Sequence, residues 1–89
     1  MDTPAIVERF AQNIRYAMQK HRLTQTRIAK KMRCHQSFVS DVVNGKRAVR
    51  LQTAERFARA IDMELWHTLM PPKRFAIEFK NRHRELYDG

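Results

Sequence analysis

Residues Thr24 to Gly45 read TQTRIAKKMRCHQSFVSDVVNG. The stretch holds two short amphipathic patterns, parted at Arg33 and Cys34 by an interruption with neither glycine nor proline. Thr24 suits the cap of a helix in which Ile28, Ala29 and Met32 face inward. A further helix follows from about Gln36 and buries Val39, Val42 and Val43. Asn44-Gly45 stops it, because both residues tolerate left-handed backbone. A pair of short helices joined by a tight turn suits an arrangement in which one element braces the next.

Upstream, Thr3 is a good N-cap and Pro4 suits a first helical position. Ile6, Phe10, Ile14, Ala17 and Met18 then form one apolar face of a helix ending near His21, and Leu23 plugs the core from the next link. Downstream, KRAVR (46–50) is a basic loop, and Leu51, Ala54, Phe57, Ala58 and Ile61 recur at inward helical spacing. After Ile61 two readings fit. Asp62 caps a fifth short helix with Leu65, Trp66 and Leu69 inward, or Met63, Leu65, His67 and Leu69 alternate as a strand. The helix is adopted. Pro71-Pro72 stops either element.

The tail RFAIEFKNRHRELYDG alternates Phe75, Ile77 and Phe79 against Arg74, Ala76, Glu78 and Lys80, the pattern of a half-buried strand. A lone strand needs a partner, and the same strand of a second copy would supply one. The other reading is a terminal helix packing Phe75, Phe79 and Leu86. The expected fold is therefore mainly α. Four to five helices form a compact domain over residues 1–70, and residues 71–89 are a C-terminal extension that serves as an accessory or dimerisation segment, with a possible dimerisation strand.

With 89 residues the chain is one domain near the lower size limit for an adequate core, so self-association is an expected source of stability. Lys and Arg number 18 against 9 Asp and Glu, a formal charge of +9 that implies a polyanionic partner. Nucleic acid leads and an anionic membrane surface comes second. No apolar run approaches the roughly 20 residues that span a bilayer. The single Cys34 cannot form an internal disulfide, and MDTPAIVERFAQ lacks the pattern of a secretory signal, which favours the reducing cytoplasm. His21, His35, His67 and His83 share no metal-ligand spacing, no glycine-rich phosphate loop occurs, and the carboxylates are scattered. No metal, cofactor or catalytic residue is expected, and the chain is read as a non-enzyme.

Taken as a spaced set, Thr24-Gln25, Ile28-Ala29, Gln36-Ser37, Val39, Val42, Asn44-Gly45, Leu51, Phe57-Ala58 and Ile61 resemble the lambda-repressor and Cro-like helix-turn-helix family from about Ile6 to Leu69. The resemblance implies that the third helix lies in the DNA major groove, with Gln36 and Ser37 facing bases. Asp41 sits one turn further along to accept from a cytosine amino group, and Phe38 either meets a thymine methyl or packs on the core. Gln25, His35, Ser40, Asn44, Lys46 and Arg47 are the implied phosphate contacts. Three residues depart from the pattern. Arg33 stands where the turn usually has glycine, His35 where a Ser or Thr cap is usual, and Arg50 where a small cap precedes the fourth helix. The implied function is a homodimeric repressor on a short palindromic operator of double-stranded DNA, in a bacterial, phage or plasmid setting and associated with the nucleoid. The alternative is an antitoxin-like protein that neutralises a toxin protein. It rests on the likeness of IDMELWHTLM (61–70), as a strand, to antitoxins that dimerise there.

Overall fold

The computed structural model describes residues 5–88, so the expected cap at Thr3 and the helical Pro4 lie outside the described residues. Among those described, the order is α1 (Ala5–His21), α2 (Gln25–Met32), α3 (Gln36–Val43), α4 (Leu51–Ala60), α5 (Leu65–Thr68), α6 (Pro72–Arg82) and α7 (Glu85–Asp88). No strand occurs among them. The expectation of a mainly α fold holds.

One core joins α1 to the rest. Phe10, Ile14 and Ala17 of α1 meet Ile28 and Met32 of α2, Val39 and Val42 of α3, and Phe57 of α4 in a single buried cluster. The rings of Phe10 and Phe57 meet edge to face, 5.9 Å between centroids. Leu23 packs against this cluster from its link, as expected.

Four helices end in the same way. A left-handed residue follows each helix, directly at Arg22 and Arg33 and after one intervening residue at Gly45 and Asp62 (φ 56°, 55°, 72° and 56°). In each case the next amide reaches back five residues: Leu23 to Met18, Cys34 to Ala29, Lys46 to Asp41 and Met63 to Ala58. That pattern satisfies the orphan carbonyls of a helix end. Only one of the four has glycine, and it is the one followed by a charged residue, Lys46. Where Arg22, Arg33 and Asp62 bear the roughly 1 kcal/mol cost of left-handed backbone, an apolar residue follows: Leu23, Cys34 and Met63, each packed on or within the core. The tertiary contact offsets the local strain. Thus Arg33 keeps the tight geometry usually supplied by glycine.

The tail corrects the sequence reading. Arg74 to Lys80 is not a dimerisation strand but the body of α6, which Pro72 opens; the preceding helix α5 has ended before the proline pair, as expected. Phe75 and Phe79, four residues apart, point the same way from a helix and are fully buried, whereas Ile77 is 56% exposed. A helix satisfies its own backbone groups, which a lone strand cannot do. Both phenylalanine rings pack on Tyr16 of α1, at 6.1 and 5.7 Å. α7 then brings Tyr87 to within 2.6 Å of Tyr16, hydroxyl to hydroxyl. Burial and that bond push the Tyr87 phenol up to about 12.

Smaller corrections follow from the same packing. Residues 63–69 contain helix and no strand, but Glu64, not Asp62, is the N-cap, and Trp66 points outward at 58% exposure. Ile6 and Leu51 are also outward, at 47% and 69%. In their place α1 buries Asn13, whose amide donates to the carbonyls of Thr68 and Met70 at 2.9 Å each and so pins the end of α5.

Candidate nucleic-acid interface

α2 begins where expected. The Thr24 hydroxyl accepts from the Arg27 amide at 3.1 Å, and Ile28, Ala29 and Met32 fix the helix to the core. α3 lies across it with Val39, Val42 and Val43 buried. The helical period then leaves Gln36, Ser37 and Asp41 exposed on the opposite side, with Ser40 half-buried among them. These four positions form one polar face.

Cations tie the helix ends together behind that face. Arg15 of α1 donates to the Val43 carbonyl at 2.5 Å, closing the end of α3. Arg56 of α4 donates to the Met32 carbonyl at the end of α2, and Lys31 to the Ala60 carbonyl at 3.0 Å. Positive charge at a helix C-terminus complements the partial negative charge of its free carbonyls. α3 is therefore held at its far end while its start stays open.

At that start His35 is the N-cap, but its side chain makes no capping hydrogen bond, and it is exposed. Arg50 likewise caps α4 by backbone position only, and α4 starts at Leu51 as expected. The first-turn amides of α3, without a side-chain cap, are aimed where an anion would be favoured.

The remaining sequence-derived residues fall around this face. Gln25 is half-buried at the first position of α2. Asn44 is exposed, and its amide donates to the Ser40 hydroxyl at 3.3 Å, leaving that hydroxyl free to donate onward. Gly45 turns the chain so that Lys46 and Arg47 are exposed beside the end of α3. Phe38 is half-buried against the core, its ring 6.3 Å from that of Phe57.

A shallow depression runs along the flank of α3, and its lining brings in residues that sequence reasoning did not assign. Ser37, Phe38, Asp41, His35 and Arg47 share it with Arg33, Cys34, Thr53 and Arg56. Arg33 had drawn notice only as a turn residue. The helical period of α4 places Arg56 outside, between inward Ala54 and Phe57, which was a usable signal. Its approach to the α2–α3 turn depends on how α4 crosses α2. Among the described residues, no three or more His, Cys, Asp and Glu side chains converge to hold a metal ion. No helix among them is long and apolar enough to cross a membrane.

Comparison with solved structures finds a similar fold in a hypothetical transcription factor, NHTF, from Neisseria: TM-score 0.76 at 20% identity, over 88% of this chain and 90% of that one. At that identity the likeness shows fold alone. No curated protein matches the chain. A helix-turn-helix family model matches residues 14–65, from the middle of α1 to the start of α5 and more than half of the chain. With α2 and α3 paired across a tight turn within those bounds, the chain belongs to the Cro/C1-type helix-turn-helix family of DNA-binding transcription regulators.

Proposed function

We propose that the chain is a repressor that binds a short palindromic operator as a homodimer, with α3 in the major groove. The carrying observation is the polar face of α3: Gln36, Ser37 and Asp41 exposed on a helix whose other side is locked by three buried valines. A groove about 12 Å wide admits such a helix, and residues at its start reach base edges. Gln36 offers a donor and an acceptor to adenine, Ser37 a hydroxyl to several bases, and Asp41 an acceptor to cytosine. Gln25, His35, Ser40, Asn44, Lys46 and Arg47 surround that face and serve phosphate, which sets register and orientation. Exposed Ile6 and Leu51 border an apolar cleft lined also by Val49 and Leu69, a candidate self-association surface now that the described residues of the tail are helical. The antitoxin-like alternative rested on residues 61–70 as a strand; they form a turn and α5, which removes that support.

Selection of bound sequences from a random duplex pool, with sedimentation of the complex, tests the reading. The expected product is an inverted repeat with half-site centres about 34 Å apart, bound by two chains. Two variants then separate reading from positioning. Gln36→Ala should cost about 1–3 kcal/mol per half-site on the selected operator and flatten preference at one base position. Lys46→Ala should weaken operator and scrambled duplex together and reduce the slope of log K against log salt by about 0.9. Equal losses on both duplexes for Gln36→Ala would remove α3 as the reading element.

A further inference from the structure

Arg47 follows the left-handed Gly45 by two residues, and the reversal returns it over the helix it has just left. Its guanidinium carbon lies 5.2 Å from the centroid of the Phe38 ring. Phe38 in turn rests on Phe57, a ring with no exposure at all. The three side chains form a stack from the core to the surface: Phe57 of α4, Phe38 of α3, then the loop arginine. Arg33 and Arg56 line the same depression, with the carboxylate of Asp41 beside them. Among the described residues Asp41 makes no salt bridge with Arg47.

From this we infer that Phe38 is a positioning residue for Arg47, fixing a loop cation against the reading helix before DNA arrives; the inference rests on the DNA-binding reading above. A free arginine side chain has rotamer freedom that a contact with DNA must overcome. Attraction to the aromatic face restrains the guanidinium over the ring, while its N–H groups on the side away from the ring remain available. Those N–H groups form a fork that matches phosphate oxygens. The face of Phe38 that Arg47 covers is closed to a thymine methyl, and the ring also contacts Phe57. Phe38 therefore acts on DNA through Arg47 and not by touching a base.

The first test is on the free protein. Ring-current shielding should move the Arg47 side-chain proton resonances upfield in the full chain, and random-coil positions would overturn the stack. The second is a double-mutant cycle on operator and scrambled duplex with Phe38→Leu and Arg47→Ala. Phe38→Leu should weaken both duplexes equally, by about two- to five-fold per half-site, the range expected for an exposed cation–π contact. That loss should disappear in the Arg47→Ala background, which a merely structural effect of Phe38 would not do. Phe38→Tyr, which keeps the ring, should restore wild-type affinity. Additive losses, or a changed base preference at one position for Phe38→Leu, would overturn the positioning role and make Phe38 a direct reader. A wild-type chain that binds no duplex would overturn this inference together with the reading beneath it, whereas the other adverse outcomes overturn the inference alone.

Discussion

α3 and α6 are both amphipathic helices in a strongly basic chain, yet they divide charge in the opposite way from a naive expectation. The proposed reading helix contains no Lys or Arg, while α6 carries Lys73, Arg74, Lys80 and Arg82. Counting cations alone would send α6 to the DNA. What separates them is what each buries and what it leaves outside. α3 buries three valines and exposes Gln36, Ser37 and Asp41, hydrogen-bonding groups without positive charge that can tell one base from another. α6 buries two phenylalanines and engages its cations locally, Arg74 with Glu78 at 3.8 Å and Arg82 with Asp62 at 3.9 Å. Exposed pairs of this kind stabilise little, so the rings hold α6 in place. Positive charge supplies affinity for a polyanion, and neutral polar side chains supply discrimination.

The contrast between α6 and α3 can be broken most severely at Phe79. Phe79→Ala empties a fully buried ring site shared with Tyr16, His21 and Phe75, and should destabilise the chain by about 3–5 kcal/mol. Deleting residues 71–89 should do at least as much harm, because it also uncovers Phe75's place against α1. Urea unfolding measures both. If the truncated chain kept wild-type stability and operator affinity, α6 would be an appendage and not a brace.

A smaller effect, of opposite sign, is expected at the turn of the reading half. Arg33 is left-handed and exposed, so Arg33→Gly should stabilise the fold by about 1 kcal/mol. The same substitution removes a cation from the depression beside α3. A thermal midpoint that rises while the salt dependence of DNA binding falls would separate the two roles of this residue. Unchanged stability would mean that the Cys34 contact already relieves the strain in full.

The mildest perturbation is pH, and it should reach α5 and α6 before α2 and α3. His67 accepts a hydrogen bond at Nδ1 from the Glu64 amide, 3.1 Å, a role open only to the neutral ring. Burial holds its pKa below the ordinary histidine value, against the pull of the Glu78 carboxylate. His21 is lowered in the same direction, first by burial and then by His83 and Lys31, although its bond to the Ile61 carbonyl acts the other way. In the unfolded chain these rings take up protons near pH 6.5. The unfolded state then binds more protons than the folded one, so stability is complete above about 6.5 and falls as the pH drops below it. Amide exchange followed from pH 8 to 5 should show α5 and α6 loosening before α2 and α3. Uniform loosening would erase the distinction between the two halves.

By itself the sequence determined the elements whose signals are local. Helical spacing of Ile28, Ala29 and Met32, then of Val39, Val42 and Val43, located α2 and α3. Thr24 and Asn44-Gly45 marked their bounds, and the polar face of α3 followed from what those apolar residues left over. Tertiary structure alone decided the tail, because Phe75 and Phe79 satisfy both the two-residue period of a strand and the four-residue step of a helix. The surface of α1 around Tyr16 and His21 accepts rings from one helical face, which turns Ile77 outward. It also decided the left-handed residues at Arg22 and Asp62, whose strain is offset by the burial of the residue that follows, and the convergence of Arg33, Arg47 and Arg56 beside Phe38. Periodicity reports which side of an element turns away from water; it carries no information about which other element comes to meet that side.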